Sequence, residues 1–418
     1  MLAASLDPSS VAIVDLNGDG RPDLAIANSF FDSDEDGVAT VSVRLNRGDG
    51  TFKPRRDYST GDLPESLGVG DVNGDGKPDL VTANAWAGSV SVLLNGGDGS
   101  FRARSDYETG SRTESVAIAD LNGDGAPDIA AAVADAKVVA VLLNKGDGTF
   151  SPPVTYPAGA APLDVAIGDL DGNGTPDLVT ANERSTVSVL LNDGKGHFAP
   201  RHDFAAGDEP VSVAIGDLNG DGRADLAVSH FGSVGRANHV SILTNDGGGS
   251  FGTRRNYPVA DGLGEIAIGD LNGDRKLDVV TTNDDSDRLS VLINRGDGSL
   301  YPRVAYPTGP GPQAVAIGDL NRDGRPDLVT VDSVSDQSND VAVLLDTPGR
   351  CNVQYVLKLT PAEAKAKLGR AHCAVGEIGW THSKNVKKGR VLSQRPVFGA
   401  VLRQGGKVNL VVSKGRKH

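Results

Sequence analysis

The feature that most limits how this chain can fold is a nine-residue acidic segment, Asp15-Leu16-Asn17-Gly18-Asp19-Gly20-Arg21-Pro22-Asp23, which recurs seven times. Later copies start at Asp71, Asp120, Asp169, Asp217, Asp270 and Asp319, so successive starts lie 56, 49, 49, 48, 53 and 49 residues apart. Every copy has Asp at positions one and nine, and positions three and five hold one Asn and one Asp in either order. A period in this range is the mark of a repeat architecture in which each unit is one supersecondary element. The flanks, such as Val-Ala-Ile-Gly-Asp-Leu before and Asp-Leu-Val-Thr-Ala-Asn after, read as strands. Each acidic segment is therefore expected as the loop of a β-hairpin.

Oxygen donors at alternate positions of a tight loop suit a hard cation, and Ca²⁺ takes about six to eight oxygens. Position seven shares no side-chain chemistry between copies, so it is expected to ligate through its backbone carbonyl. The expected ligand sets are Asp15, Asn17, Asp19, Arg21 and Asp23; Asp71, Asn73, Asp75, Lys77 and Asp79; and Asp120, Asn122, Asp124, Ala126 and Asp128. They continue with Asp169, Asp171, Asn173, Thr175 and Asp177; Asp217, Asn219, Asp221, Arg223 and Asp225; Asp270, Asn272, Asp274, Lys276 and Asp278; and Asp319, Asn321, Asp323, Arg325 and Asp327. Position six is Gly in six copies, which suits a turn with positive φ. An EF-hand begins in the same way but needs a Glu at position twelve. Here that position is Ile26, Thr82, Ala131, Thr180, Val228, Thr281 or Thr330, which excludes it. The alternative is a set of Asx-rich turns that need no ion. Against it, clustered carboxylates repel one another unless a cation is present.

Four strand-like pieces make up each unit. In the second they are Ser66–Asp71, Asp79–Asn84, Ser89–Asn95 and Phe101–Tyr107, with the turn Gly96-Gly97-Asp98-Gly99 before the last. Phe52, Phe101, Phe150, Phe198, Phe251 and Leu300 each stand 19 residues before the next acidic loop. Tyr58, Tyr107, Tyr156, Phe204, Tyr257 and Tyr306 stand 13 before it. This fixed offset joins each fourth strand to the following first strand. It favours an all-β radial arrangement of four-stranded blades around a channel, with seven loops implying seven blades. The seventh unit has a third strand, Val341–Leu345, but no following turn and Phe. By the same offset Leu2 takes the place of Tyr58, so residues 1–4 are expected to complete the last blade. This leads to the expectation that further residues, including an export signal, precede Met1 in the natural product.

Charge divides the chain. Residues 350–418 carry 15 Lys or Arg against two Glu, about +13, while the rest carries about −27 of the formal −14 total. Both cysteines, Cys351 and Cys373, lie in the basic segment, which points to a disulfide and an oxidising compartment. A bridge of that loop length contributes about 3 kcal/mol. No run is long and apolar enough to span a membrane as a helix, and Met1–Ser10 lacks the regions of a signal peptide.

Asp-x-Asn-Gly-Asp-Gly-x-Pro-Asp followed by Asn-x-Gly-Asp-Gly-(Thr/Ser)-Phe resembles the FG-GAP repeats of integrin α-subunit propellers, and more closely the bacterial VCBS-type repeats. The resemblance covers about residues 1–346. It implies a seven-bladed β-propeller with up to seven Ca²⁺ ions in the hairpin loops of one face. Arg275 replaces the position-six Gly of loop six, and Arg322 the position-four Gly of loop seven. A left-handed Arg costs about 1–2 kcal/mol and brings a positive charge, so these two loops are expected to bind Ca²⁺ most weakly.

The segment from Cys351 onward is of another kind. Thr360-Pro361-Ala362-Glu363 is a capping box with Pro at the first helical position, starting a helix to about Ala371. Strands are expected at Gly376–Trp380, Gly389–Gln394 and Lys407–Ser413. Gly389-Arg-Val-Leu-Ser-Gln-Arg-Pro396, Gly399 and Gly406-Lys-Val-Asn-Leu-Val-Val-Ser-Lys-Gly415 resemble a PASTA domain, with Leu359, Glu363, Ala364, Leu368, Val375 and Gly376 fitting its helix and first strand. His372-Cys373 departs from that family's usual step, in keeping with a disulfide. The resemblance implies a small α+β domain and recognition of peptidoglycan fragments at a bacterial surface. The expected division is residues 1–349 as propeller and 350–418 as PASTA domain.

Two Arg-Gly-Asp strings, Arg47–Asp49 and Arg295–Asp297, are read as hairpin turns, because the same turn elsewhere reads Gly-Gly-Asp or Lys-Gly-Asp. The connectors between second and third strands vary most in length, and loops on a rigid scaffold often carry binding. Phe30, Phe31, Trp86 and Phe231, with Asp32, Asp34, Glu35 and Asp36, mark a candidate ligand face there. His197, His202, His230 and His239 accompany no nucleophile motif, nothing has zinc spacing, and the glycines belong to loops rather than to a phosphate cradle. The sequence thus reads as an exported, calcium-binding, non-enzymatic binding or adhesion protein with a cell-wall glycan or an extracellular protein as partner and no role on nucleic acid. A lectin-like propeller is the alternative, and a polysaccharide-active enzyme a more distant one.

Overall fold

The structure, a computed structural model, describes residues 2–3, 7–29, 39–231, 238–252, 254–262, 264–333, 340–345, 350–370, 373–396, 401–403 and 407–417. The chain forms two compact units, Met1–Leu345 and Asp346–His418.

Among the described residues the first unit contains seven four-stranded antiparallel sheets, a propeller-like arrangement. The second sheet is typical: Pro64–Gly70, Asp79–Asn84, Ser89–Leu93 and Ser105–Glu108 in that spatial order. Accessibility follows the order of strands. Second strands such as Asp79–Asn84 are buried along their whole length, whereas fourth strands such as Ser105–Glu108 are largely exposed. The small and β-branched residues of the second strands let both faces pack against neighbouring sheets. The charged residues of the fourth strands, Arg56 and Asp57 for example, protect an open edge.

First strands touch in cyclic sequence, from Pro8–Val14 to Pro64–Gly70 and onward to Pro312–Gly318, which in turn meets Pro8–Val14. The seventh sheet takes Leu2–Ala3 as its fourth strand, with Leu2 opposite Val341 just as Tyr58 stands opposite Val41. Aromatic residues bind sheet to sheet. Tyr58 meets Phe101 edge-on at 5.2 Å between centroids, and Tyr107 meets Phe150 in the same way at 5.4 Å. Such pairs contribute about 0.5–1.5 kcal/mol beyond their burial.

The fourth strands are shorter than the sequence suggests. Ser105–Glu108 is paired, but Phe101 makes only an isolated bridge to Asn95. The constant position of this aromatic residue reflects packing on the neighbouring sheet rather than strand pairing.

In the second unit Pro361–Arg370 is helical, and Lys407–Ser413 pairs parallel with Ala374–Thr381 and antiparallel with Val391–Arg395. The capping box is in place: the Thr360 N–H donates to Glu363 Oε2 at 2.6 Å and the Glu363 N–H to Thr360 Oγ1 at 3.3 Å. The helix packs Ala364 and Leu368 against Val353, Val356, Cys373, Val391, Val408 and Leu410. Among the described residues no helix is long and apolar enough to cross a membrane.

Candidate functional site

All seven acidic segments are tight loops between the first and second strands of a sheet. Loop one shows how such a loop is held. Asp15 Oδ1 accepts the Gly18 N–H at 2.8 Å and Oδ2 the Gly20 N–H at 2.7 Å. Asn17 Oδ1 accepts the Asp19 N–H, and Asp19 Oδ1 the Arg21 N–H. The chain therefore winds around its own carboxylates through successive Asx turns. Gly20 lies at φ +75°, and the replacements Arg275 and Arg322 are indeed left-handed, at +65° and +59°.

Position nine is different: Asp23 is fully buried at the head of the second strand. Its Oδ2 accepts the Leu16 N–H at 3.0 Å and its Oδ1 the Asn46 N–H at 2.7 Å. Burial raises Asp23, Asp79 and Asp128 to about 6 and Asp278 to about 7, against the pull of those N–H donors; Asp15 and Asp19 add repulsion to Asp23. A cation would favour the ionised form.

Carboxylates are not gathered equally in all seven loops. Among the described residues only Asp169, Asp171 and Asp177 bring three carboxylate oxygens within 4.8 Å of one another. Loop four is the copy with Asp at position three and Asn at five. Elsewhere position three is Asn, and in loop one its Nδ2 donates to Asp23 Oδ2 at 3.1 Å. The like-charge argument from sequence thus applies most directly to loop four. In loop seven, Asp323 Oδ2 is buried without a hydrogen-bond partner. The hard oxygen donors and this orphaned oxygen fit a Ca²⁺-type ion. Arg21, Lys77, Ala126, Thr175, Arg223, Lys276 and Arg325 all stand at position seven, where only a backbone carbonyl is common to the set.

One group of site residues escaped the sequence reading. Asn46, Asn95, Asn144, Asn192, Asn245 and Asn294 follow the third strands and join loops of adjacent sheets. Asn95 Nδ2 donates to the Pro78 carbonyl of its own loop at 2.9 Å and to the Leu16 carbonyl of the preceding loop at 3.0 Å. Asn46 does the same for Leu320, linking sheet one to sheet seven at 2.8 Å. The Asn was visible in the repeated Asn-x-Gly-Asp-Gly string, but nothing in sequence reveals a partner in the neighbouring repeat.

The Arg-Gly-Asp strings are hairpin turns: Asp49 Oδ1 accepts the Thr51 N–H at 2.9 Å, as Asp98 Oδ1 accepts that of Ser100 at 3.0 Å. On the proposed ligand face Trp86 is 67% and Phe231 45% exposed. They belong to sheets two and five, while Phe30, Phe31, Asp32, Asp34, Glu35 and Asp36 lie outside the described residues. Cys373 is buried, and no free cysteine occurs among the described residues.

The FG-GAP-like repeat family matches residues 15–82, 71–131, 120–180, 169–228 and 270–330, spans that include all seven acidic loops. The PASTA domain family matches residues 353–414. Solved structures with a similar fold include an Agrocybe aegerita lectin described for recognition of non-reducing terminal N-acetylglucosamine. It is 23% identical, with 72% of this chain and 80% of that one covered and a TM-score of 0.50. A Pseudomonas aeruginosa periplasmic gluconolactonase matches at 18% identity, 81% and 89% coverage and a TM-score of 0.54. Kuenenia stuttgartiensis hydrazine synthase matches at 16%, 82% and 97%, with a TM-score of 0.55. At these identities the likeness shows the fold alone. The acidic repeats and the C-terminal match together place this chain in the FG-GAP-like repeat family, as a member that also carries a PASTA domain.

Proposed function

We propose that this is an exported, non-enzymatic binding protein of the bacterial surface, built as a closed seven-bladed propeller with structural Ca²⁺ in its acidic loops. Loop four carries the calcium reading, because its three carboxylates converge on a span of 4.8 Å. Side-chain oxygens at positions one, three, five and nine and the carbonyl at seven would hold the ion, tying the first hairpin of each sheet to the third strand through the position-nine Asp. Bound Ca²⁺ supplies charge neutralisation there, not chemistry. Sites of this style outside cells bind at about 10⁻⁴–10⁻³ M. The loops with Arg275 and Arg322 bind most weakly in this reading. The C-terminal α+β unit serves as a peptidoglycan-recognising PASTA domain, with Cys351 and Cys373 joined.

Chelation is expected to lower the melting temperature, with recovery on adding Ca²⁺ in millimolar amounts. An unchanged melt after thorough chelation overturns the structural-calcium reading. Co-sedimentation with purified peptidoglycan, lost on deletion of residues 350–418, tests the cell-wall assignment separately.

A further inference from the structure

A recess of about 490 Å³ lies between sheets two and three, and the exposed ring of Trp86 forms one wall. Its acidic residues break the repeat. Six residues before the acidic loop stands Ser9, Leu163, Val211, Gly264 or Gln313 in five repeats, but Glu65 and Glu114 in the two adjacent sheets that form the recess. Trp86 is the first unit's only Trp. Three departures from the repeat therefore meet in one place, where sheet geometry alone requires none of them.

The charges there are unequal in kind. Arg112 is paired with Glu114, and Asp135 adds a further carboxylate to the lining. Among the described residues no hydrogen-bond donor reaches Glu65. Burial foremost, then the charge of Glu114, raise Glu65 to about 7, with Arg112 opposing. The recess thus offers an aromatic face, a carboxylate that accepts no hydrogen bond among the described residues, and three acidic side chains against one arginine.

We propose that this recess binds an organic ammonium ion on a short alkyl stem, with the cation over the Trp86 ring and against the Glu65 carboxylate. A cation above an indole face gains about 0.5–2 kcal/mol depending on desolvation, and Glu65 gains a direct ion pair, since Arg112, which attracts it from a distance, is paired with Glu114. A lysine side chain of a partner and a free amine share this chemistry. The proposal is independent of calcium, so it is tested in Ca²⁺-containing buffer on the folded full chain.

The probes are n-butylamine, Nα-acetyl-lysine methylamide, its neutral norleucine analogue and N-acetylglucosamine, titrated calorimetrically. Both amines are expected to bind; tighter binding of the lysine derivative identifies a protein side chain as the source, equal binding a free amine. At pH 7 binding releases protons, read from buffers of different ionisation enthalpy, because the cation favours ionised Glu65. Affinity is expected to fall about tenfold between pH 7.5 and 5.5. Glu65→Gln should abolish this pH dependence, and Trp86→Ala should weaken binding about tenfold, with melting temperatures showing that both variants fold. Absence of binding by either amine, equal binding of the norleucine analogue, or binding of the sugar alone overturns the proposal.

Discussion

Asn95 shows how much one side chain can carry in a repeat. Its amide donates to two carbonyls in different sheets, and its Oδ1 accepts the Gly97 N–H at 2.7 Å. Asn95→Ala should cost about 1–3 kcal/mol in urea unfolding, and Asn95→Asp a comparable amount, since a carboxylate cannot donate. A change under about 0.5 kcal/mol in both would contradict this linking role. Arg275, at φ +65°, is strained in the opposite sense. Arg275→Gly should stabilise the chain by about 1 kcal/mol and tighten Ca²⁺ binding in loop six, measurable by unfolding and by calorimetry. The strain was legible because the loop's conformation is set by neighbours within nine residues. The role of Asn95 was not, because its partner Leu16 is 79 residues away.

At the scale of the element, the fifth sheet departs most clearly from its siblings. Its second strand ends in His230 where sheet two has Asn84, and His239 faces it from the third strand, the rings stacked at 4.5 Å. Burial foremost, then the charges of His239 and Arg254, lower His230 to about 3. A base whose folded pKa lies below its unfolded value of about 6.5 stabilises nothing by charging. Stability is whole above that value and is lost as pH falls from 6.5 towards 3. In sheet two the Asn84 Nδ2 donates to Ser91 Oγ at 2.9 Å, and Ser241 offers the matching hydroxyl in sheet five. His230→Asn should therefore melt as the parent does at pH 8 and above it between pH 6 and 4. Parallel melting curves across that range would refute the assignment. Sequence could not pair these histidines, because the connectors differ in length: His230 and His239 are nine residues apart, Asn84 and Ser89 five. The capping box of Pro361–Arg370, by contrast, was readable because both partners lie within one turn.

For the whole molecule, the buried position-nine carboxylates set a common pH response. Without metal their raised pKa values mean that the folded chain binds protons more readily than the unfolded one between about pH 4 and 7. Metal-free stability in this window therefore falls as pH rises, so far as these groups decide it. In the calcium-bound state proposed above, the ion would reverse that preference by favouring the ionised form. The gain in melting temperature on adding Ca²⁺ should be larger at pH 7.5 than at pH 5, and equal gains would count against ions at these carboxylates. The ring itself was largely legible, since a constant offset of 13 residues from Tyr or Phe to the next acidic loop already joins each sheet to the next. The recess at Glu65 was not, because its residues matter only as exceptions that the ring brings side by side.

The Asn links also show where the wheel is least secure. In the sequence Leu345 is followed by Asp346, which lies outside the described residues, whereas every other third strand leads to Asn, and an Asp side chain has no N–H to donate. Between the sixth and seventh sheets the Val315 N–H donates to Glu265 Oε2 at 3.1 Å, and the described part of the seventh sheet's fourth strand is Leu2–Ala3. Among the described residues Asn links tie six sheets to the one before them, and the Asp in the seventh sequence position marks the remaining junction as the one to test. Deuterium uptake should begin there, and a chain under tension should part beside the seventh sheet while the other six remain stacked.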